Sequence, residues 1–424
     1  MTAVTRTRGA GPRHTSGWRW LVAGIVIAAA AAIPILRFLV FWPQDQWQVD
    51  IEVYREAGVS LLIGRPIYSA MTEAPQLLPF TYPPFAAFLA LPLALIPFRP
   101  AAWIWTLGQV GATTGIVWYA GYRLIHRSGR ADPLVLAGLT AVAVWLHPVA
   151  DGIRFGQINA YLVLLVLMDL RRPRPGLIRR IPPGVFVGLA MSIKLTPGVF
   201  VVHYLLCRRW KEAGTALGTA AGVTLAAALA QPASSIVFWG GALQDPARLG
   251  PHRGTSNQSI RGVLLRLGPQ GLPGTLLWLL LAGLVAVAGF RIARRAYAAG
   301  DSVTEVAVVG LLACLLSPVA WIHHFHWIVV VILAVLGGNP LRDRRRLIGG
   351  AVLTIWFLCR LPWWGISWIA NAWPPELVGR ILQNADLPGA LLGLWLLGRG
   401  LSWGEPSSPE ATSGGQPTAQ PAAQ

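Results

Sequence analysis

The chain has 424 residues, of which 54% are hydrophobic and only 12% charged. A typical soluble domain carries about 25% charged residues, so this composition excludes an ordinary soluble enzyme. The formal charge is +18, but the arginines cluster between apolar runs: Arg171-Arg172, Arg179-Arg180, Arg208-Arg209, Arg291/Arg294/Arg295 and Arg342/Arg344/Arg345/Arg346. That is the positive-inside pattern of a membrane protein and not a nucleic-acid-binding face.

Apolar runs recur roughly every 20–35 residues, which predicts an all-α polytopic protein of about 11–13 spans in a lipid bilayer. Residues 1–404 are expected to form one transmembrane domain. Residues 405–424 read as a disordered cytoplasmic tail, rich in Pro, Ser, Gly, Gln and Ala. The three cysteines, Cys207, Cys314 and Cys359, offer neither a disulfide framework nor zinc spacing.

Arg6, Arg8, Arg13 and Arg19 place the N-terminus on the cytoplasmic side. The first span, about 20–42, then exits outward. Residues 43–84, PQDQWQVDIEVYREAGVSLLIGRPIYSAMTEAPQLLPFTYPP, form the first long polar stretch and hold the first outer loop. Within it, Val53, Tyr54, Ala57 and Leu61 have helical spacing. This predicts an amphipathic helix over 50–63 on the outer membrane surface, stopped near Gly64 and Pro66. Asp50 falls in its first turn, where the helix dipole favours a carboxylate. Residues 82–98, broken by Pro92 and Pro97, read as a bent short span or a re-entrant hairpin.

A span at 101–122 precedes a basic loop. Two further runs, about 132–148 and 155–170, are joined by the turn HPVADGIRFGQIN. Residues 184–206 carry arginines at both ends, so they must form a hairpin of short helices with Lys194-Leu195-Thr196-Pro197 at its apex. Broken backbone at membrane depth requires protein or a wet cavity to satisfy it. A run at 213–231 leads to a second outer loop, 232–272. Spans follow near 274–290, 303–320, 325–337 and 347–361. A Trp-rich outer loop, 362–386, precedes a last span at 387–400.

The polar residues that gather on the outer side are the candidates for chemistry. A lysine in an apolar segment costs roughly 2.5–3.5 kcal/mol to insert, so Lys194 is expected to face a cavity or partner, or else to snorkel. With Arg154 and Arg261 it suits a phosphate. A carboxylate beside them suits general-base activation of a hydroxyl. Asp50 is the first choice, with Asp45, Glu52 and Asp151 as alternatives and a helix cap as the structural reading of Asp50. Tyr54, Tyr82, Gln157, Asn159, Asn257, Gln258 and Trp321 are candidate substrate contacts. Trp321, Trp327, Trp363, Trp364 and Trp368 suit sugar stacking or a membrane-interface belt. In His323-His324-x-His326, adjacent histidines diverge on a helix and lack an acidic ligand in the same turn. Hydrogen bonding to sugar or phosphate is therefore preferred over metal binding.

The ordered set D-x-x-V-Y-x-x-A-G from Asp50, G-R-P-I-Y, F-T-Y-P-P, G-Q-I-N, S-I-K-L-T-P, N-Q-S and S-P-V-A-W-I-H-H resembles the actinobacterial polytopic α-(1→2)-mannosyltransferases of glycosyltransferase family 87, in the GT-C superfamily. The resemblance runs over about residues 45–330. It implies a GT-C fold, a polyprenyl-phosphate-mannose donor and a mannosylated glycolipid acceptor such as a phosphatidylinositol mannoside, lipomannan or lipoarabinomannan. It implies one-step inversion, with Asp50 as the catalytic base facing the extracytoplasmic side and His323 or His324 in the active site. Ile322 stands where the family often has an acidic residue. No cofactor or metal is expected, because polyprenol phosphate is already a good leaving group. A transferase of another polyprenyl-phosphate sugar, such as arabinofuranose, or a lipid-linked sugar transporter remain the alternatives. A transporter would carry inverted repeats, and none is evident.

Overall fold

The computed structural model describes residues 17–41, 48–172, 176–370 and 375–401. The terminal tail beyond residue 401, the N-terminal arginines Arg6, Arg8 and Arg13, and Asp45 lie outside the described residues. Among the described residues all the regular elements are helices, accompanied by two isolated β-bridges, Met71–Pro79 and Asn257–Trp321.

Among the described residues three helices, Gly17–Leu36, Trp210–Ala230 and Gly271–Ala298, are long and apolar enough to cross a membrane. The number rises to five if each of two bent pairs is one span. These are Asp132–Trp145 with His147–Phe155, bent by 74°, and Arg344–Leu358 with Leu361–Ile369, bent by 47°. Shorter apolar stretches are Asn159–Leu170, Thr196–Leu206, Ser302–Leu315 and Ile322–Leu336.

Exposure separates two kinds of apolar helix. In Gly271–Ala298 the residues Leu276, Leu279, Leu280 and Leu284 are each more than half exposed, which is stable only against lipid. In Ser302–Leu315 every residue except Val303 is buried, as is every residue from Ile328 to Val335. A helix apolar all round belongs in a core, and this pair forms its centre.

Several expectations change in detail. Residues 82–98 do not form a bent span. They fold into Pro84–Leu89 and Leu91–Ala94, together about 15 Å long at 1.5 Å per residue, against ~30 Å of hydrocarbon. The helix expected on the membrane surface, Val49–Leu62, packs into the protein instead. Val53, Tyr54, Ala57 and Gly58 are all buried, because the 84–94 helices cover them (a Cβ on Gly58 would meet the Ala90 carbonyl at 2.9 Å). The connection expected as a plain turn after residue 146 is a helix, His147–Phe155.

The 184–206 hairpin has the expected break. Val185–Ile193 ends at Lys194, which is extended, and the chain returns through Thr196–Gly198 and Val199–Leu206. Both feet lie at one end of the bundle. The Asp169 carboxylate accepts from Gly184 N at 2.8 Å and Val187 N at 2.9 Å. Just past the other foot, Arg209 pairs with Glu305 at 2.8 Å.

Candidate active site

Asp50 is placed by the residue that starts its helix. Gln48 adopts φ 60° ahead of Val49, and its backbone N–H donates to the Arg154 carbonyl at 2.8 Å. Its side-chain amide donates to Ile153 O at 2.7 Å and Thr106 Oγ1 at 3.0 Å. Gly156, at φ +73°, permits this approach, since a Cβ there would sit 2.5 Å from Gln48 Oε1. The first turn of the 49–62 helix is thereby tied to the 147–155 helix.

Around Asp50 four segments converge. Lys194 at the hairpin apex donates to His324 Nε2 at 3.0 Å and to Asn159 Oδ1 at 3.3 Å. Its ammonium also lies 5.4 Å from the Tyr82 ring centre. Asn159 Nδ2 donates to the His323 carbonyl at 3.1 Å and to Gln157 Oε1 at 3.4 Å. The Tyr82 hydroxyl reaches Gln157 Oε1 at 3.4 Å and the Tyr54 hydroxyl at 3.1 Å. Asp50 keeps part of its surface open. Even so, desolvation by the surrounding protein pushes its carboxyl up to about 6, restrained by a hydrogen bond from Gln157 and by the charge of Lys194. A carboxylate poised there and partly accessible is suited to accept a proton near neutral pH. Lys194 therefore points into the site and does not snorkel. The helix-cap reading of Asp50 also loses its basis, since Gln48 occupies the cap position and makes no side-chain cap bond.

Among the described residues, the rival carboxylates Glu52 and Asp151 are otherwise engaged. Glu52 turns to accept from Glu73 N at 3.0 Å. Asp151 is buried in an ion pair, 2.9 Å from Arg360 and 3.0 Å from His147.

Other expected contacts are corrected. Asn257 is fully buried, and its Oδ1 accepts from Ala320 N at 3.0 Å and Ser259 N at 3.3 Å while its Nδ2 donates to His252 O. Gln258 donates to Thr255 O and Gln383 O and accepts from Asp386 N. Their hydrogen-bonding capacity is spent on clamping the 317–324 segment against the second and third loops. In this structure both hold loops together. Arg261 is not among the residues in contact with Lys194; its guanidinium lies 5.0 Å from the Trp278 ring centre, because the Ser259-capped helix turns it that way. Trp321 sits beside this clamp, bridged to Asn257. Arg154 is buried and stacks 4.8 Å over Phe155, whose ring lies 5.8 Å from that of His323. His326 diverges from the His323-His324 pair and approaches Thr113 at 3.5 Å. Among the described residues no group of three His, Cys, Asp or Glu side chains is placed to hold a metal ion.

Sequence reasoning singled out Asp151 but neither Gln48 nor the partners His147, Arg360 and Asp386 that gather around Asp151, where Asp386 Oδ2 lies 3.9 Å from His147 Nδ1. The i,i+4 spacing of His147 and Asp151 was visible in the chain. Arg360 and Asp386 arrive from distant segments and carry no local signal.

Known proteins share this chain's sequence over most of its length. Residues 80–318 match the profile of glycosyltransferase family 87. A Mycobacterium tuberculosis protein named polyprenol-phosphate-mannose-dependent alpha-(1-2)-phosphatidylinositol mannoside mannosyltransferase is 32% identical over 360 residues, covering 81% of each chain. Its namesake in Mycolicibacterium smegmatis is 31% identical over 395 residues, or 84% of each chain. A phosphatidylinositol pentamannoside mannosyltransferase from the same species is 33% identical, covering 78% of this chain and 79% of that one. No solved structure matches. A helical membrane chain with an acidic residue and a lysine at one polar site, similar to these enzymes over about four-fifths of its length, belongs to glycosyltransferase family 87.

Proposed function

We propose that the protein transfers mannose from polyprenyl-phosphate-mannose to a phosphatidylinositol-mannoside-type glycolipid, forming an α-(1→2) linkage with Asp50 as general base. The observation that carries this reading is Asp50, a residue that is not fully buried, in the same polar cluster as Lys194, with its carboxyl pushed up to about 6 by desolvation. The names of the relatives supply the donor and the acceptor class.

In the proposed reaction the acceptor hydroxyl oxygen attacks the anomeric carbon. Asp50 takes the hydroxyl proton, the C–O bond to phosphate breaks, and polyprenyl phosphate leaves with the electron pair, inverting the carbon in one step. An ammonium has three donors. Lys194 spends two on Asn159 and His324, and the third suits an oxygen of the departing phosphate. Since Lys194 can only donate, His324 Nε2 is an acceptor and its ring is neutral. The arginine-rich segments, Arg171-Arg172, Arg208-Arg209 and Arg344–Arg346, favour a cytoplasmic position for the end of the bundle holding the hairpin feet. The Asp50 site then faces the extracytoplasmic side, with both termini inside.

The test is mannose transfer by purified protein in lipid, from polyprenyl-phosphate-mannose to a mannolipid acceptor. Wild type is expected to form an α-(1→2) product. Asp50→Asn is expected to lose about a hundredfold or more, since general-base catalysis is worth roughly 10²–10⁴. Retained activity in Asp50→Asn would refute the base assignment. An inert wild type with every mannosyl acceptor would refute the sugar or the reaction.

A further inference from the structure

Lys194 dictates the direction of every hydrogen bond between itself and Asp50. An ammonium only donates, so the Asn159 atom facing it is Oδ1. Asn159 Nδ2 then faces the two remaining acceptors, the His323 carbonyl and Gln157. The carbonyl independently demands a donor, so the two ends of Asn159 agree. Gln157 must accordingly present Oε1 to Asn159, and the Tyr82 hydroxyl donates to the same oxygen. That leaves the Tyr54 hydroxyl to donate to the Tyr82 oxygen. The Gln157 amide is thus fixed in one of its two orientations, with Oε1 taken by Asn159 and Tyr82, and Gln157 is a neighbour that favours the ionised form of Asp50. Its backbone is fixed as well: Gln157 N donates to Gly152 O at 2.9 Å, and Gln157 O accepts from Gln109 Nε2 at 2.7 Å.

We propose that Gln157 is a positioning residue for the transfer reaction. Its amide, locked by Lys194 through Asn159 and by the Tyr54–Tyr82 pair, holds one oxygen of Asp50 and leaves the other to the acceptor hydroxyl. This rests on the reading of Asp50 as the base and assigns Gln157, Tyr82 and Tyr54 to that base instead of to the sugar. A hydrogen bond to the charged form favours the carboxylate, and donors aligned head to tail reinforce one another. Asp50 therefore stays ionised in surroundings that would otherwise neutralise it.

The charged and titratable groups around Asp50 leave this role to Gln157. Lys194 comes from the hairpin apex and Tyr82 from the segment before the 84–89 helix, while Tyr54 lies on the same helix as Asp50. The 98–120 helix contributes the neutral Thr106 and Gln109. On the 147–155 helix, Asp151 is spent on Arg360 and His147, and Arg154 stacks on Phe155. The Tyr68 hydroxyl donates to the Tyr82 carbonyl, and Glu52 is turned to Glu73.

The experiment is the pH profile of kcat/KM for mannose transfer by the full chain in lipid, comparing wild type, Gln157→Glu, Tyr82→Phe, Glu52→Gln and Asp50→Asn. In Gln157→Glu a second carboxylate replaces the donor, so the acidic limb should move up by about 1–3 pH units, as a like charge at contact shifts a carboxyl. Tyr82→Phe, the milder change, should move it up by less and lower kcat with little change in KM. Glu52→Gln should leave the limb in place. An acidic limb at the wild-type position in both Gln157→Glu and Tyr82→Phe, with Asp50→Asn inactive, overturns the positioning role alone. The same holds if Tyr82→Phe raises only KM, which marks a substrate contact. An active Asp50→Asn overturns the positioning role and the base assignment together.

Discussion

The two ends of the 185–206 hairpin each hold a cluster of ionisable groups, and they differ in how completely the charges are paired. At the feet, the buried Glu305 carboxylate is bonded by Arg209 at 2.8 Å and His203 at 2.9 Å, and Arg209 also holds Glu212 at 3.1 Å. Beside it Asp169 caps Gly184 and Val187. At the apex, Asp50 has the Gln157 amide and a lysine that is itself spent on two neutral partners. A buried pair with satisfied partners is structural, and removing one member leaves an uncompensated charge. A carboxylate beside a neutral amide, on a residue that is not fully buried, remains available for a proton. The difference lies in residual capacity and not in residue type, since both ends use the same chemistry of carboxylate, cation and histidine.

The comparison breaks most sharply at Asp50. Asp50→Asn is expected to lose roughly 10²–10⁴ in turnover with the protein still folded, measured as product per minute and as the melting temperature in detergent. At neutral pH that variant should melt higher than wild type. The sign follows from the carboxyl's shift: raised from 3.8 to about 6 in the folded chain, it opposes folding wherever it is ionised, and Asn removes that cost. Activity should follow the same group, falling about tenfold per pH unit below about 6, because the base must be unprotonated to act. Lys194→Met should cost about a hundredfold in kcat/KM, the loss typical of one donor to a developing anion.

Glu305→Ala should act in the opposite way. It strands Arg209 and His203, so stability should drop by about 3–5 kcal/mol, while the surviving folded fraction keeps its turnover per molecule. Calorimetry combined with active-site-normalised rates separates the two outcomes. Gln258→Ala removes bonds to Thr255, Gln383 and Asp386. A loss of about 1–3 kcal/mol is expected, without the change in KM that a substrate contact would show. Glu52→Gln should be nearly silent, within about 0.5 kcal/mol, and a large loss of turnover there would move the base from Asp50 to Glu52.

The third loop adds a packing feature. Leu361–Ile369 and Pro375–Gln383 cross where Gly365 meets Gly379, close enough that a Cβ on Gly365 would lie 2.6 Å from the Gly379 carbonyl. Trp364 is 59% exposed on this pair, and Trp368, Leu377 and Ile381 are exposed beside it. This fits the interface-belt reading of the loop's tryptophans better than sugar stacking. Trp363 is the exception: its indole nitrogen lies 2.7 Å from His147 Nε2.

Composition and periodicity alone determined the class of this protein, the positions of its apolar segments and the break at Lys194. The ordered motifs pointed to the family and to Asp50. These are local properties: hydropathy is summed along a window, and a motif is carried by neighbours in the chain. The tertiary structure decided how each polar residue spends its hydrogen bonds. Gln48 and Ile153, 105 positions apart, fix the helix that carries Asp50. Asn257 and Gln258 look like site residues in the sequence, but the fold consumes their donors and acceptors in holding loops together. Gln157, equally plausible as a sugar contact, is turned toward Asp50 because Lys194, 37 residues further along, can only donate. A side chain has few hydrogen-bonding positions, and which of them remain for a substrate depends on partners that only the folded chain brings within about 3 Å.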